Sequence, residues 1–140
     1  MNEDSLEEAR EKFFSFLLKK PCTRKHAEEF LSRRDVPEDH RASMLADAEA
    51  MGLVDDLAYA RLFVDGHLSW GNAKIIYELE SRGIEREDIT TALNESEDES
   101  SRACEVAKDW RTLGLDGRKI INRLMSRGFS LKAARSALQD

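Results

Sequence analysis

Apolar positions along this chain recur at intervals of three and four residues, the spacing that lays one buried stripe along an α-helix. Leu6, Ala9, Phe13, Phe16 and Leu17 trace such a face, and Ser5-Leu-Glu-Glu8 has the form of a capping box at its start. Leu57, Ala60, Phe63, Val64 and Leu68 trace another, with Asp55 or Asp56 placed to cap it. Ala103, Val106, Ala107 and Trp110 form a third, opened by a second capping-box pattern, Ser96-Glu-Asp-Glu99. Nowhere does the chain alternate apolar and polar residues as a half-buried strand would.

One stretch is written twice. Residues 74–93 read KIIYELESRGIEREDITTAL and residues 119–138 read KIINRLMSRGFSLKAARSAL, so that Lys74, Ile75, Ile76, Leu79, Ser81, Arg82, Gly83, Ala92 and Leu93 recur 45 positions later. In each copy a helical stripe (Ile75, Ile76, Leu79; Ile120, Ile121, Leu124) runs into glycine, Gly83 or Gly128, and then into one apolar residue, Ile84 or Phe129. That order predicts a helix ended by a left-handed residue, with the apolar side chain folding back onto the stripe. A further helix follows, with Ile89, Ala92 and Leu93 inward in one copy and Leu131, Ala134 and Leu138 in the other.

A weaker copy precedes these, offset by 48 residues, with Leu31, Val36 and Leu45 at the places of Leu79, Ile84 and Leu93. Asp35 stands where glycine would be, and aspartate tolerates the left-handed region better than most side chains. Pro37 suits the first turn of the next helix, which should reach about Met51 with Met44, Leu45 and Ala48 inward. Each copy has a leading helix, which makes three triplets over residues 1–52, 53–94 and 95–140. The fold class expected is all-α: three tandem three-helix repeats forming an elongated, curved array, since no such unit can bury its stripes alone.

Composition sharpens this picture. Of 140 residues 41% are apolar, enough for a core, and 36% are charged, as long solvated helix faces require. No run approaches the roughly 20 apolar residues of a membrane span, and the first residues lack a signal pattern, so the expectation is a cytoplasmic protein without a membrane partner. The net charge of −6 is unevenly spread: residues 19–34 and residues 114–140 are each net +4, and acids gather at Glu95, Glu97, Asp98 and Glu99. Cys22 and Cys104 are far apart, and free thiols are expected.

The central block, Gly52-Leu-Val-Asp-Asp56 followed by Tyr59-Ala60, Phe63-Val64, Gly71, Ile75, Glu78-Leu79 and Gly83-Ile84, resembles the RecX family of bacterial regulators of the recombinase RecA. The resemblance extends over nearly the whole chain. It implies a non-enzymatic protein that binds RecA and its filament on single-stranded DNA and restrains ATP hydrolysis, strand exchange and filament growth; a monomer is expected. One departure stands out: family members carry more basic residues where the second triplet turns from its first helix to its second, whereas here that turn reads Asp65-Gly-His-Leu-Ser-Trp-Gly-Asn72.

Candidate contact residues follow from charge clustering and from unexplained positions. Arg24, Lys25 and Arg33 can share one basic patch, and Arg118, Lys119 and Arg123 another; either suits a DNA backbone or an acidic protein face. Trp70 and Lys74 flank the second triplet's turn, and Trp70 is the one aromatic that helical periodicity does not explain. Arg34, Arg82 and Arg127 sit at corresponding helix ends, where the helix dipole alone accounts for a cation. Any single-stranded DNA would be held through phosphates, since no helix presents a run of base-reading side chains. His26, His40 and His67 are isolated, no phosphate loop or catalytic constellation appears, and no metal or cofactor is expected. Two other readings stay open: a nucleic-acid-binding module acting without RecA, and an interaction scaffold for another protein.

Overall fold

The computed structural model describes residues 1–139 of the chain, and among these it is helical throughout, with no strand. The helices are α1 (Glu3–Lys19), α2 (Arg24–Arg33), α3 (Glu38–Ala50), α4 (Asp56–Gly66), α5 (Asn72–Ser81), α6 (Arg86–Asn94), α7 (Glu99–Thr112), α8 (Gly117–Ser126) and α9 (Leu131–Ser136). By packing, the chain divides into two compact units, residues 1–59 with 82–84, and residues 60–81 with 85–140.

The repeated sequence produces repeated backbone chemistry. Asp35 has φ +58°, Gly83 +83° and Gly128 +93°, so the residue ending the second helix of each copy is left-handed as predicted. Gly52 and Gly114 do the same after α3 and α7. The next residue then returns its N–H to a carbonyl in the last helical turn: Val36 to Leu31 (3.3 Å), Leu53 to Ala48 (2.9 Å), Leu115 to Trp110 (3.0 Å) and Phe129 to Leu124 (3.1 Å). These bonds satisfy carbonyls that a helix end otherwise leaves open.

In the first unit Ala9, Phe13 and Leu17 of α1 meet Ala27 and Leu31 of α2, Met44, Leu45 and Ala48 of α3, and Val36 and Val54 from the loops. In the second unit Ala103 and Ala107 of α7 meet Ile120 and Leu124 of α8, Phe129, and Ala133, Ala134 and Ala137 around α9. The register of the copies survives in burial. Leu31, Leu79 and Leu124 are all fully buried, as are Val36, Ile84 and Phe129 to within 3%.

Several expected details differ. Helix α1 starts earlier than the Ser5 box implies, because the Asn2 side chain accepts from the Ser5 N–H at 2.8 Å and caps the helix itself. Helix α7 is capped by Asp98, which accepts from the Ser101 N–H (2.8 Å), leaving Glu99 for another task. Pro37 occupies the N-cap of α3, one place before the first turn. Leu68, Leu131 and Leu138 are exposed, not inward. Around α9, Leu131-Ala134-Leu138 and Ala133-Ala134-Ala137 both fit a helical stripe through Ala134. Periodicity cannot choose between them; packing against α7 selects the alanines.

Candidate partner-binding surfaces

In the first unit, Thr23 caps α2 by accepting from the His26 N–H at 3.2 Å. This start places Arg24 and Lys25 in the first turn and Arg33 in the last. Arg33 lies nine steps along the helix from Arg24, roughly 13 Å on the axis. They do not form one patch. Arg24 is also engaged in the fold: its N–H donates to Asp56 Oδ1 (2.8 Å) and its Nε lies 3.3 Å from Glu49. Lys25 is exposed at its end, but its stem lies on Gly83, where a Cβ would come within 2.6 Å of its Cδ. Arg33 is exposed, and its neighbour Arg34 rests its guanidinium 4.5 Å from the Phe30 ring.

In the second unit, α8 begins behind Asp116, whose carboxylate accepts from the Arg118 N–H at 3.3 Å. The helix contains no acidic residue. Lys119 and Arg123, four residues apart, share one face, with Arg118 beside them, and all three are exposed. Arg123 and Arg127 hold their guanidinium groups 5.3 and 5.2 Å from the centre of the Trp110 ring. Trp110 is half-buried against the core, and its ring orders two cations at the surface.

Trp70 and Lys74 form a pair, with Lys74 Nζ 4.1 Å from the Trp70 ring centroid. Trp70 is half-buried and touches His67 (4.3 Å) and Phe63 (5.9 Å). The position that periodicity left unexplained thus packs within its own turn and keeps part of its ring at the surface. Tyr77, one turn beyond Lys74, is 71% exposed.

The turn around Trp70 is held from α7 by Arg102 and by Glu99, the residue that the capping-box pattern had assigned to its own helix start. Arg102, only 3% exposed, donates to the carbonyls of Trp70, Leu68 (3.5 Å) and Glu97 (3.1 Å) and to Asn72 Oδ1. Burial lowers its pKa, while Glu99, Glu97 and Asp98 work against that shift. Glu99 accepts from the Asn72 N–H (2.7 Å) and from the Ser130 hydroxyl (2.8 Å). The sequence did carry a signal. Arg102 falls on the same stripe as Ala103 and Val106, and an arginine on a buried stripe must find acceptors.

The two units share a device here. The first residue of α2 donates to a carboxylate at the start of α4, and the first residue of α5 donates to one at the start of α7. An acid one helix-triplet later thus caps the middle helix of the preceding triplet. Gly71 completes the join: its N–H donates to the Arg127 carbonyl (2.9 Å), and a Cβ there would lie 2.0 Å from the Phe129 nitrogen.

This arrangement has counterparts. The family model for "RecX, second three-helix domain" matches residues 55–93. A regulatory protein RecX of Streptomyces coelicolor is 32% identical over 152 aligned positions, covering 98% of this chain and 81% of the relative. The chain belongs to the RecX family. Another RecX, from Mycolicibacterium smegmatis, is 29% identical across 91% of the chain and 76% of that protein. The crystal structure of RecX from Lactobacillus salivarius superposes with a TM-score of 0.87 at 21% identity, covering 99% of this chain and 97% of the other. At that identity the likeness is one of fold, and RecX proteins share the all-helical design described above. The relatives are named regulatory proteins. Among the described residues no helix is long and apolar enough to cross a membrane.

Proposed function

We propose that this chain binds RecA and its filament on single-stranded DNA and restrains filament growth and ATP hydrolysis. The observation that carries this reading is similarity to a RecX regulatory protein over 98% of the chain. The protein acts in the cytoplasm, as a monomer, by binding alone. Its three triplets, residues 1–52, 53–94 and 95–140, serve as successive contact modules. A filament repeats one surface, and a ligand touching two copies gains avidity from the second contact. Preferring one filament conformation over others would slow the ATPase cycle or block addition of a protomer.

Within that reading, the exposed cations of α8 are the principal contact, with Arg33 and Lys25 contributing from the first unit and Lys74 from the second. Arg24 contributes less, since Glu49 and Asp56 already engage it. The turn from Asp65 to Asn72 is occupied by Arg102 and by the Gly71 close approach, which supports a structural role for it in place of DNA contact.

RecA ATP hydrolysis on single-stranded DNA, titrated with this protein, is the deciding assay. Inhibition at stoichiometric amounts is expected; its absence would overturn the proposal. Reversing Arg118, Lys119 and Arg123 together to glutamate should weaken inhibition while helicity stays intact. Unchanged inhibition would reduce the α8 face to a solvated surface. The lack of acids on α8 also favours one second reading, a module that binds single-stranded nucleic acid through phosphates without RecA. Steeply salt-dependent binding to bare DNA with no effect on RecA hydrolysis would favour it.

A further inference from the structure

The first unit carries two grooves along α1, and they differ in charge. One, of about 470 Å³, lies toward α3 and is rimmed by Glu3, Asp4 and Glu7, with His40 and with Arg10, which is paired to Asp47 at 2.9 Å. The other, of about 400 Å³, lies toward α2 and is lined by Phe16 and Phe30 with Glu11, Lys12, Lys19 and Arg34 around them. The two phenylalanine rings stack at 4.4 Å and 11°, making an apolar floor that is only half-buried. Lys12 is occupied by Glu8 at 2.9 Å. Lys19 and Arg34 are exposed, and Arg34 also lies near enough to Glu8 to help hold that carboxyl below its usual range, after Lys12.

We propose that this α1–α2 groove docks an acidic peptide segment of a protein partner, seating one apolar side chain on Phe16 and Phe30 and carboxylates on Lys19 and Arg34. An apolar anchor ringed by charge pairs is the usual economy of a peptide site: the anchor supplies affinity, and the charges supply orientation. Charge complementarity selects the occupant, because a basic peptide would be drawn to the groove on the α3 side instead. A single-stranded nucleic acid is the lesser fit. Phe30 already has Phe16 on it and the Arg34 guanidinium at 4.5 Å, and Phe16 also meets the His26 ring edge-on at 5.3 Å. Base stacking needs an aromatic face that is not so engaged. The proposal is independent of RecA, and so is its test.

Fluorescence anisotropy of a fluorescein-labelled peptide, with one phenylalanine flanked on each side by aspartate and glutamate, reads the site directly on the full chain. Saturable binding is expected, lost when the peptide phenylalanine is replaced by serine or its acids by lysine. The double variant Lys19→Glu, Arg34→Glu, both exposed and outside the core, should weaken binding roughly tenfold, as two attractions become repulsions. Helicity measured by circular dichroism should be unchanged. An unaltered affinity in that variant, or no binding by the parent chain, overturns the proposal. So does a labelled oligothymidylate that binds the parent more tightly than the peptide and is released by the same variant.

Discussion

Single residues decide how closely the backbone can approach itself. Gly71 has no positive φ; its requirement is space, since the Phe129 nitrogen and the Gly128 carbonyl occupy the place a side chain would take. Gly71→Ala should therefore lose about 2–4 kcal/mol in urea unfolding, because both partners are backbone and cannot rotate away. Gly66, the last residue of α4, has nothing within 4 Å of a built Cβ. Gly66→Ala should be neutral or gain about 0.5–1 kcal/mol by restricting the unfolded chain. A pair of equal midpoints would refute the close approach. Cys22 offers a second residue-scale test. Burial, reinforced by Asp56, pushes its thiol from 9.0 up to about 11. At pH 8 its thiolate fraction falls about a hundredfold, so iodoacetamide should modify native Cys22 at least that much more slowly than the unfolded chain. The sign for stability follows: the contribution is whole below the unfolded pKa and declines as pH rises toward the folded one. The glycine before Ile84 or Phe129 was readable as a helix end from residue order alone. Gly71 was not, because nothing local marks a collision with the backbone of a turn 57 residues away.

Between elements, the controlling contacts come from α7. Arg102 reaches four acceptors in the α4–α5 turn and beside its own helix, and Arg102→Met would leave these part-buried oxygens without that donor. A loss of about 2–4 kcal/mol is expected by denaturant titration. Because the methionine keeps most of the volume, a small loss would mean that water replaces the guanidinium. Arg61 joins the start of the second triplet to its end through two bonds to Glu95, at 2.6 and 2.8 Å. The Glu95 carboxyl is lowered from its usual range chiefly by this hydrogen bonding. Its contribution is therefore present above the unfolded carboxylate pKa and vanishes as pH falls through the folded one. Arg61→Met should melt below the parent at neutral pH, and the two curves should converge as acid protonates Glu95 in both. A constant gap across that range would assign the effect to packing. Capping boxes were legible as helix starts, yet two of them named the wrong cap. Asn2 and Asp98 also carry capping oxygens, and local sequence does not rank such neighbours.

Across the whole molecule, charge is concentrated where the repeats present it: an acidic chain with two basic segments, one on α2 and one on α8. If both meet the same filament, reversing Arg33 alone and the α8 trio alone should each weaken RecA inhibition, and the joint variant should multiply the losses. A joint variant no weaker than the α8 trio would confine contact to the second unit. The sequence by itself determined the helical class, the recurrence of a helix ended by a left-handed residue, and the buried leucine of each copy, because these depend on spacing and on backbone sterics within one turn. It also determined which segments are basic. Only the tertiary structure decided that Arg24 and Arg33 stand apart, that Trp70 and Arg102 belong to one knot, that Glu99 caps α5 and not its own helix, and that alanines displace Leu131 and Leu138 from the core. Each of these depends on which surface a second helix offers, and periodicity specifies a stripe without specifying what will lie against it.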